Sequence, residues 1–302
     1  MTTFDSLICV DYSAAAVPTQ GEDSIWVGGQ VLGRPILHNF PTRHELHGWL
    51  RAHMHQHLDQ GKRLLAGFDF AFGYPRGFAA ALGLDGTPWA ATWALLHAQI
   101  SDGPKNQNNR FHVADALNAR LGARALFWGR PSTAATPHLP AKRTVHYDQG
   151  VGEWRAFEIA GRTSADRRIG RMQPGWKLAY TGSVGSQALM GIARLEAHRR
   201  EFGEQLAIWP FEAAHAPLVF AEIYPSMFPC DHLDHPIKDA RQVLAVSEAM
   251  AAANLGVDLK GDLGADPKAH PAADLAQWLD RDQFADDPEI VAEEGWLLSW
   301  LR

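Results

Sequence analysis

Residues 64–75 read LLAGFDFAFGYP, and this stretch decides the fold class. The continuous apolar run from Leu64 to Phe68 predicts a strand buried on both faces, the habit of parallel strands in α/β proteins. Asp69 then falls between Phe68 and Phe70, and Gly73-Tyr74-Pro75 turns the chain away. A carboxylate at the end of a buried strand is costly unless it is paired or bound to a metal. Such strand ends are also where open α/β sheets hold their ligands. Two other stretches repeat the design. Leu7-Ile8-Cys9-Val10 leads to Asp11, and Leu218-Val219-Phe220-Ala221 leads to Glu222. Three apolar strands each carry an acid at or near the C-terminal end, and that is the main functional signal of the chain.

Working back from residue 64, residues 42–61 predict a helix. Thr42 and Glu45 form a capping box, Leu46, Trp49, Leu50, Met54 and Leu58 recur at helical spacing, and Gly61 ends it. Residues 6–11, 24–31 and 35–40 predict three strands that can pair as an antiparallel meander. The opening is then β-β-β-α-β, with the helix returning the chain to a parallel position beside the first strand. His53 and His57 are four apart on the helix, a spacing that suits a shared metal. No HExxH pattern or third ligand accompanies them, so partly exposed helix surface is the plainer reading.

Beyond the central strand, residues 76–100 predict a helix with Trp89 and Trp93 in the core. Residues 101–171 are irregular apart from a short helix at 113–121 and read as a long insertion. Basic residues outnumber acidic ones from Ser101 to Lys177, whereas residues 257–302 form an acidic extension. The basic set includes Arg110, Arg120, Arg124, Arg130, Lys142, Arg143, Arg162, Arg167, Arg168 and Arg171. It suits contact with a nucleic acid or nucleotide, or equally a solvated surface. The formal net charge of −6 does not itself indicate nucleic-acid binding.

Residues 180–189 read YTGSVGSQAL. Gly182, Ser183, Gly185 and Ser186 precede a helix, so free backbone N–H groups there can meet an anion. The spacing matches neither the P-loop nor the dinucleotide fingerprint, and a tight turn with a serine cap accounts for the glycines equally well. Residues 204–210 and 218–224 predict two more strands. A helix follows from Pro236 with Asp239 in its first turn, where an acid also offsets the helix dipole. A final amphipathic helix is expected from Pro288. Cys9 and Cys230 give no disulfide framework. No run approaches the length of a membrane span and no leader is evident, so a cytoplasmic location is the default.

Asp11, Asp69, Glu222 and Asp239 are the candidate catalytic and metal-ligating residues. Mg²⁺ or Mn²⁺ takes oxygen ligands, commonly a few carboxylates plus substrate phosphate. Two such ions about 3.5–4 Å apart can activate a water and stabilise the leaving oxygen in phosphodiester cleavage. With these acids the motifs CVDYSAA (9–15), GFDFAFGYP (67–75), GSVGSQAL (182–189), AEIYPS (221–226) and KDARQV (238–243) resemble the DUF429 family of predicted RNase H-like proteins. The resemblance runs from residue 9 to about 250. It implies one α/β domain with an RNase H-like mixed sheet of about five core strands flanked by helices. It also implies a nuclease-type acidic site: Asp11 as the first-strand acid, Asp69 as the acid after the first helix, Asp239 as the late helix acid and Glu222 as a fourth ligand. Relatives have been labelled molybdopterin guanine dinucleotide synthesis proteins. A nucleotide-binding protein or transferase is therefore the alternative function, and a non-catalytic scaffold with the acids salt-bridged to Arg110 or Arg143 is a third.

Overall fold

The computed structural model describes residues 3–122, 125–144, 147, 150–163, 172–256 and 274–299. Strands β1 (Ser6–Asp11), β2 (Ile25–Val31) and β3 (Arg34–Phe40) form the antiparallel meander. Helix α1 (Arg43–Asp59) follows; the Thr42 hydroxyl accepts from the Glu45 N–H at 3.1 Å, so the cap forms at the predicted residue. Strand β4 (Leu64–Phe68) then pairs with β1 in parallel. Strands β5 (Leu206–Ile208) and β6 (Leu218–Glu222) complete a six-stranded mixed sheet in the order β3-β2-β1-β4-β6-β5. Every residue of β4 is buried, as its unbroken apolar run requires.

Residues 76–100 form two helices rather than one, α2 (Phe78–Ala81) and α3 (Pro88–Gln99). Gly83 and Gly86, both at positive φ, break the run, and Pro88 restarts it at a first-turn position that needs no N–H donor. The basic stretch contributes α4 (Arg110–Leu121) and α5 (Ala156–Thr163). Its Phe127, Leu139 and Val151 are buried in the same core cluster as β4 and Trp176. Helices α6 (Gly185–Phe202), α7 (Lys238–Asn254) and α8 (Leu275–Trp278) follow. In place of the expected final helix there is one π-helical turn, Ile290–Glu294. Leu298 N–H then donates to the Glu222 carbonyl at 2.9 Å, extending the sheet beside β6. Among the described residues no helix is long and apolar enough to cross a membrane.

Side-chain alternation divides the core into two layers. Ile8, Val10, Leu64, Ala66, Phe68, Leu218 and Phe220 face α1, α3 and α6, while Leu7, Cys9, Leu65, Val219 and Ala221 face α7. Helix α7 lies close to the sheet because Gly28 has no side chain: a Cβ there would fall 2.8 Å from Val243 Cγ2. On the opposite face the Tyr12 hydroxyl bonds to His47 at 3.0 Å, and His47 bonds to His198 at 3.0 Å, tying α1 and α6 behind the end of β1. His57 is also buried, hydrogen-bonded to the Ser6 hydroxyl at 2.6 Å and to the His53 carbonyl at 2.6 Å. His57 is therefore part of the helix packing, whereas His53 is partly exposed as expected.

Candidate acidic site at the strand ends

Register decides which acids meet. Val10 pairs with Phe68 across β1 and β4, so Asp11 and Asp69 come next in step, both on the face toward α7. The Tyr12 N–H donates to Asp69 Oδ1 at 2.7 Å, and the Asp69 N–H donates to the Val10 carbonyl at 3.1 Å, which carries the ladder one step past the strands. Asp239 approaches from the first turn of α7. Its Oδ2 accepts from the Asp23 N–H at 2.9 Å, fixing the loop that leads into β2.

The electrostatics follow from this crowding. Burial and the adjacent Asp69 charge raise the Asp11 carboxyl well above its ordinary value, with smaller contributions from Asp239 and Asp23. Asp69 is pushed up to about 6, mainly by burial, while hydrogen bonds from Asp11 and from the Tyr12 N–H pull the other way. The two carboxyls are close enough to act on one another, and each is raised above its ordinary value. Among the described residues no Lys, Arg or His makes an ion pair with Asp11, Asp69 or Asp239. Arg143 pairs instead with Glu153 at 2.8 Å.

Glu222 does not join this group. Its register partner is Phe68, one residue before Asp69, and a one-residue offset places a strand side chain on the other face of the sheet. There both carboxylate oxygens are taken by Arg155, at 2.7 and 2.8 Å, and the Phe72 N–H donates to one of them at 2.9 Å. Arg155 also donates to Glu158 at 3.0 Å, and all three side chains are buried. The expected fourth ligand is a structural ion pair.

The turn before α6 is also largely spoken for. The Gly185 N–H donates to the Lys177 carbonyl at 2.9 Å, the Ser183 N–H to the Tyr180 carbonyl at 3.0 Å, and the Ser186 hydroxyl to the Leu178 carbonyl at 2.6 Å. A Cβ on Gly185 would lie 2.3 Å from the Gly175 carbonyl oxygen, so this glycine answers to close backbone packing. Gly182 takes a positive φ of 74°. The turn does meet the end of β1, because the Gln187 side-chain amide donates to the Tyr12 carbonyl.

Much of the basic stretch is likewise engaged locally. Arg130 donates to the Leu139 carbonyl at 2.6 Å, and the Arg162 guanidinium stacks 4.2 Å over Trp154. Arg124, Arg167, Arg168 and Arg171 lie outside the residues whose side chains are described.

Sequence reasoning missed two residues. Asp23 was discoverable, since β2 runs antiparallel to β1 and must begin where β1 ends. Arg155 carried no local signal. Among the described residues, no three His, Cys, Asp or Glu side chains group closely enough to hold a metal ion, so the Asp11–Asp69 pair is the chemical unit. Comparison of the chain with protein-family models, with curated proteins and with solved structures finds no match in any of the three.

Proposed function

We propose that this protein is an RNase H-like, divalent-metal-dependent phosphodiesterase whose metal-holding residues are Asp11 and Asp69. The observation that carries the reading is the pair itself: two carboxyls in step at the C-terminal ends of adjacent parallel strands, without a cationic partner among the described residues. The β-β-β-α-β opening with β1 beside β4 supports the RNase H-like core.

The donor set fits Mg²⁺ or Mn²⁺. Mg²⁺ keeps several waters and is commonly held by one or two carboxylates plus substrate phosphate, so a pair suffices where a closed cage is missing. Bound there, the ion would supply charge neutralisation and a water of lowered pKa. The chain's own contributions are distinct. The Tyr12 N–H fixes one oxygen of Asp69. The Asp11–Asp69 pair, raised by burial and mutual repulsion, gives up protons when a cation binds. Asp239 adds negative potential and anchors the Asp23 loop rather than closing a three-carboxylate cage.

Incubation with single- and double-stranded DNA and RNA in Mn²⁺ tests the reading. Cleavage should stop with EDTA, and Asp69→Asn should slow it on the order of 100-fold or more. Cleavage that survives EDTA, or an Asp69→Asn rate equal to wild type, would overturn it. So would wild type that cleaves none of these substrates.

A further inference from the structure

Arg110, the first residue of α4, is a half-buried cation whose hydrogen-bond partners are all neutral. Its Nε donates to the Ser186 hydroxyl at 2.9 Å, and a terminal nitrogen donates to Asn108 Oδ1 at 2.6 Å. The guanidinium carbon lies 4.4 Å from the centre of the Phe111 ring. Among the described residues no carboxylate forms an ion pair with it. The charge that acts on it is another cation, Arg43. Arg43 is fully buried and pairs with Asp102 at 2.7 Å, and Asp102 is shared with Arg194 at 2.9 Å. Two guanidinium groups, those of Arg43 and Arg194, therefore share one carboxylate. Burial, with help from Arg43, lowers Arg110 to about 10, which leaves it charged at neutral pH.

The position of this cation relates it to the acidic pair. Arg43 donates to the carbonyls of Ser13 and Ala15 at 2.9 and 2.8 Å, holding the loop that leaves β1. Ser186, which orients Arg110, is adjacent to Gln187, and Gln187 holds the Tyr12 carbonyl of the same loop. Residues 12–15 are thus held by the Arg43 cation of α1 and by the Gln187 amide of α6, next to the serine that orients Arg110. Asp11 is the residue immediately before this loop, and Asp69 accepts from the loop's Tyr12 N–H. A metal-dependent phosphodiesterase needs both signs, carboxylates for the ion and a cation for the phosphate oxygens.

We propose that Arg110 is the substrate-phosphate contact of this site, with Ser186 as its positioning residue. The ligand class is a phosphate monoester or diester, and the proposal rests on the phosphodiesterase reading above. The arginine fork presents several N–H donors in one plane, and one neutral contact through Nε and one through a terminal nitrogen leave donors for an oxyanion.

Titration of the metal-free protein with inorganic phosphate, followed by calorimetry and by melting temperature, tests this without the metal. Wild type should bind saturably and Arg110→Gln at least about tenfold more weakly. Ser186→Ala, which removes only a hydroxyl, should weaken binding by a smaller factor and guards against misfolding of the Gln variant. A single-stranded oligonucleotide or a nucleoside monophosphate should displace the phosphate, the first marking a polymeric source and the second a free nucleotide. No saturable binding by wild type, or equal binding by folded Arg110→Gln, or displacement by neither competitor would overturn the proposal. Arg110→Gln should keep the wild-type Mn²⁺ response. Loss of phosphate binding and failure of the metal reading are therefore separate results.

Discussion

Replacing Asp11 with asparagine is expected to raise the melting temperature of the metal-free protein by roughly 2–3 °C at about pH 8, the equivalent of about 1–2 kcal/mol. The sign follows from linkage. Both carboxyls of the pair titrate above their unfolded value in the folded chain, so the folded state binds more protons than the unfolded state in that window. Their contribution to stability is therefore complete below about pH 4 and is lost as pH rises through about 6 and beyond. At pH 8 the wild type must keep a buried proton or face two adjacent charges. Asparagine keeps a hydrogen-bond donor for Asp69 and removes one titration. Its stability should accordingly change less between pH 4 and 8, as measured by thermal melts in EDTA across that range. A variant with the wild-type slope, or with a lower melting temperature at pH 8, would show that the carboxyls do not interact as described.

The largest loss of stability is expected from Arg155→Met. Arg155 meets Glu222 through two nitrogens, Glu158 through a third contact, and the Glu294 carbonyl at 3.1 Å. Methionine removes the cation and leaves two buried carboxylates facing one another. Breaking such a group by deleting one partner costs about 3–5 kcal/mol. The double variant Arg155→Met, Glu222→Gln should recover part of this, because it deletes one of the two orphaned charges. Urea denaturation of the two variants measures both effects. A single-variant loss below about 1 kcal/mol would place the group among interactions of surface-pair strength.

The difference between Glu222 and the two aspartates shows how far the sequence could be read. All three acids follow apolar runs of similar length, and the runs became β1, β4 and β6 as expected. What the runs do not state is register. Asp11 and Asp69 come one step beyond the paired residues Val10 and Phe68, whereas Glu222 is itself paired with Phe68. That single step reverses the face, and only the assembled sheet reveals it. Asp239 could be read from the sequence only as a first-turn acid, a place where a carboxylate equally offsets the helix dipole, and its bond to the Asp23 N–H appears only in the folded chain. The glycines of residues 182–185 misled because an anion-binding turn and a tightly packed turn require the same residue type. Gly185 is there for the approach of the Gly175 and Lys177 carbonyls. His57 was assigned to the surface from helical spacing alone, and its bond to Ser6 depends on β1 lying alongside.

The most direct test of the account is a Mn²⁺ titration of wild type and Asp11→Asn by isothermal calorimetry at about pH 7.5, with proton release followed in buffers of different ionisation enthalpy. Wild type should bind Mn²⁺ saturably and release protons as the Asp11–Asp69 pair ionises, with affinity rising with pH. Asp11→Asn should lose about 100-fold or more in affinity, and most of the proton release. Equal Mn²⁺ affinity in the two proteins, or no saturable binding by wild type, would contradict the assignment of Asp11 and Asp69 as a metal site.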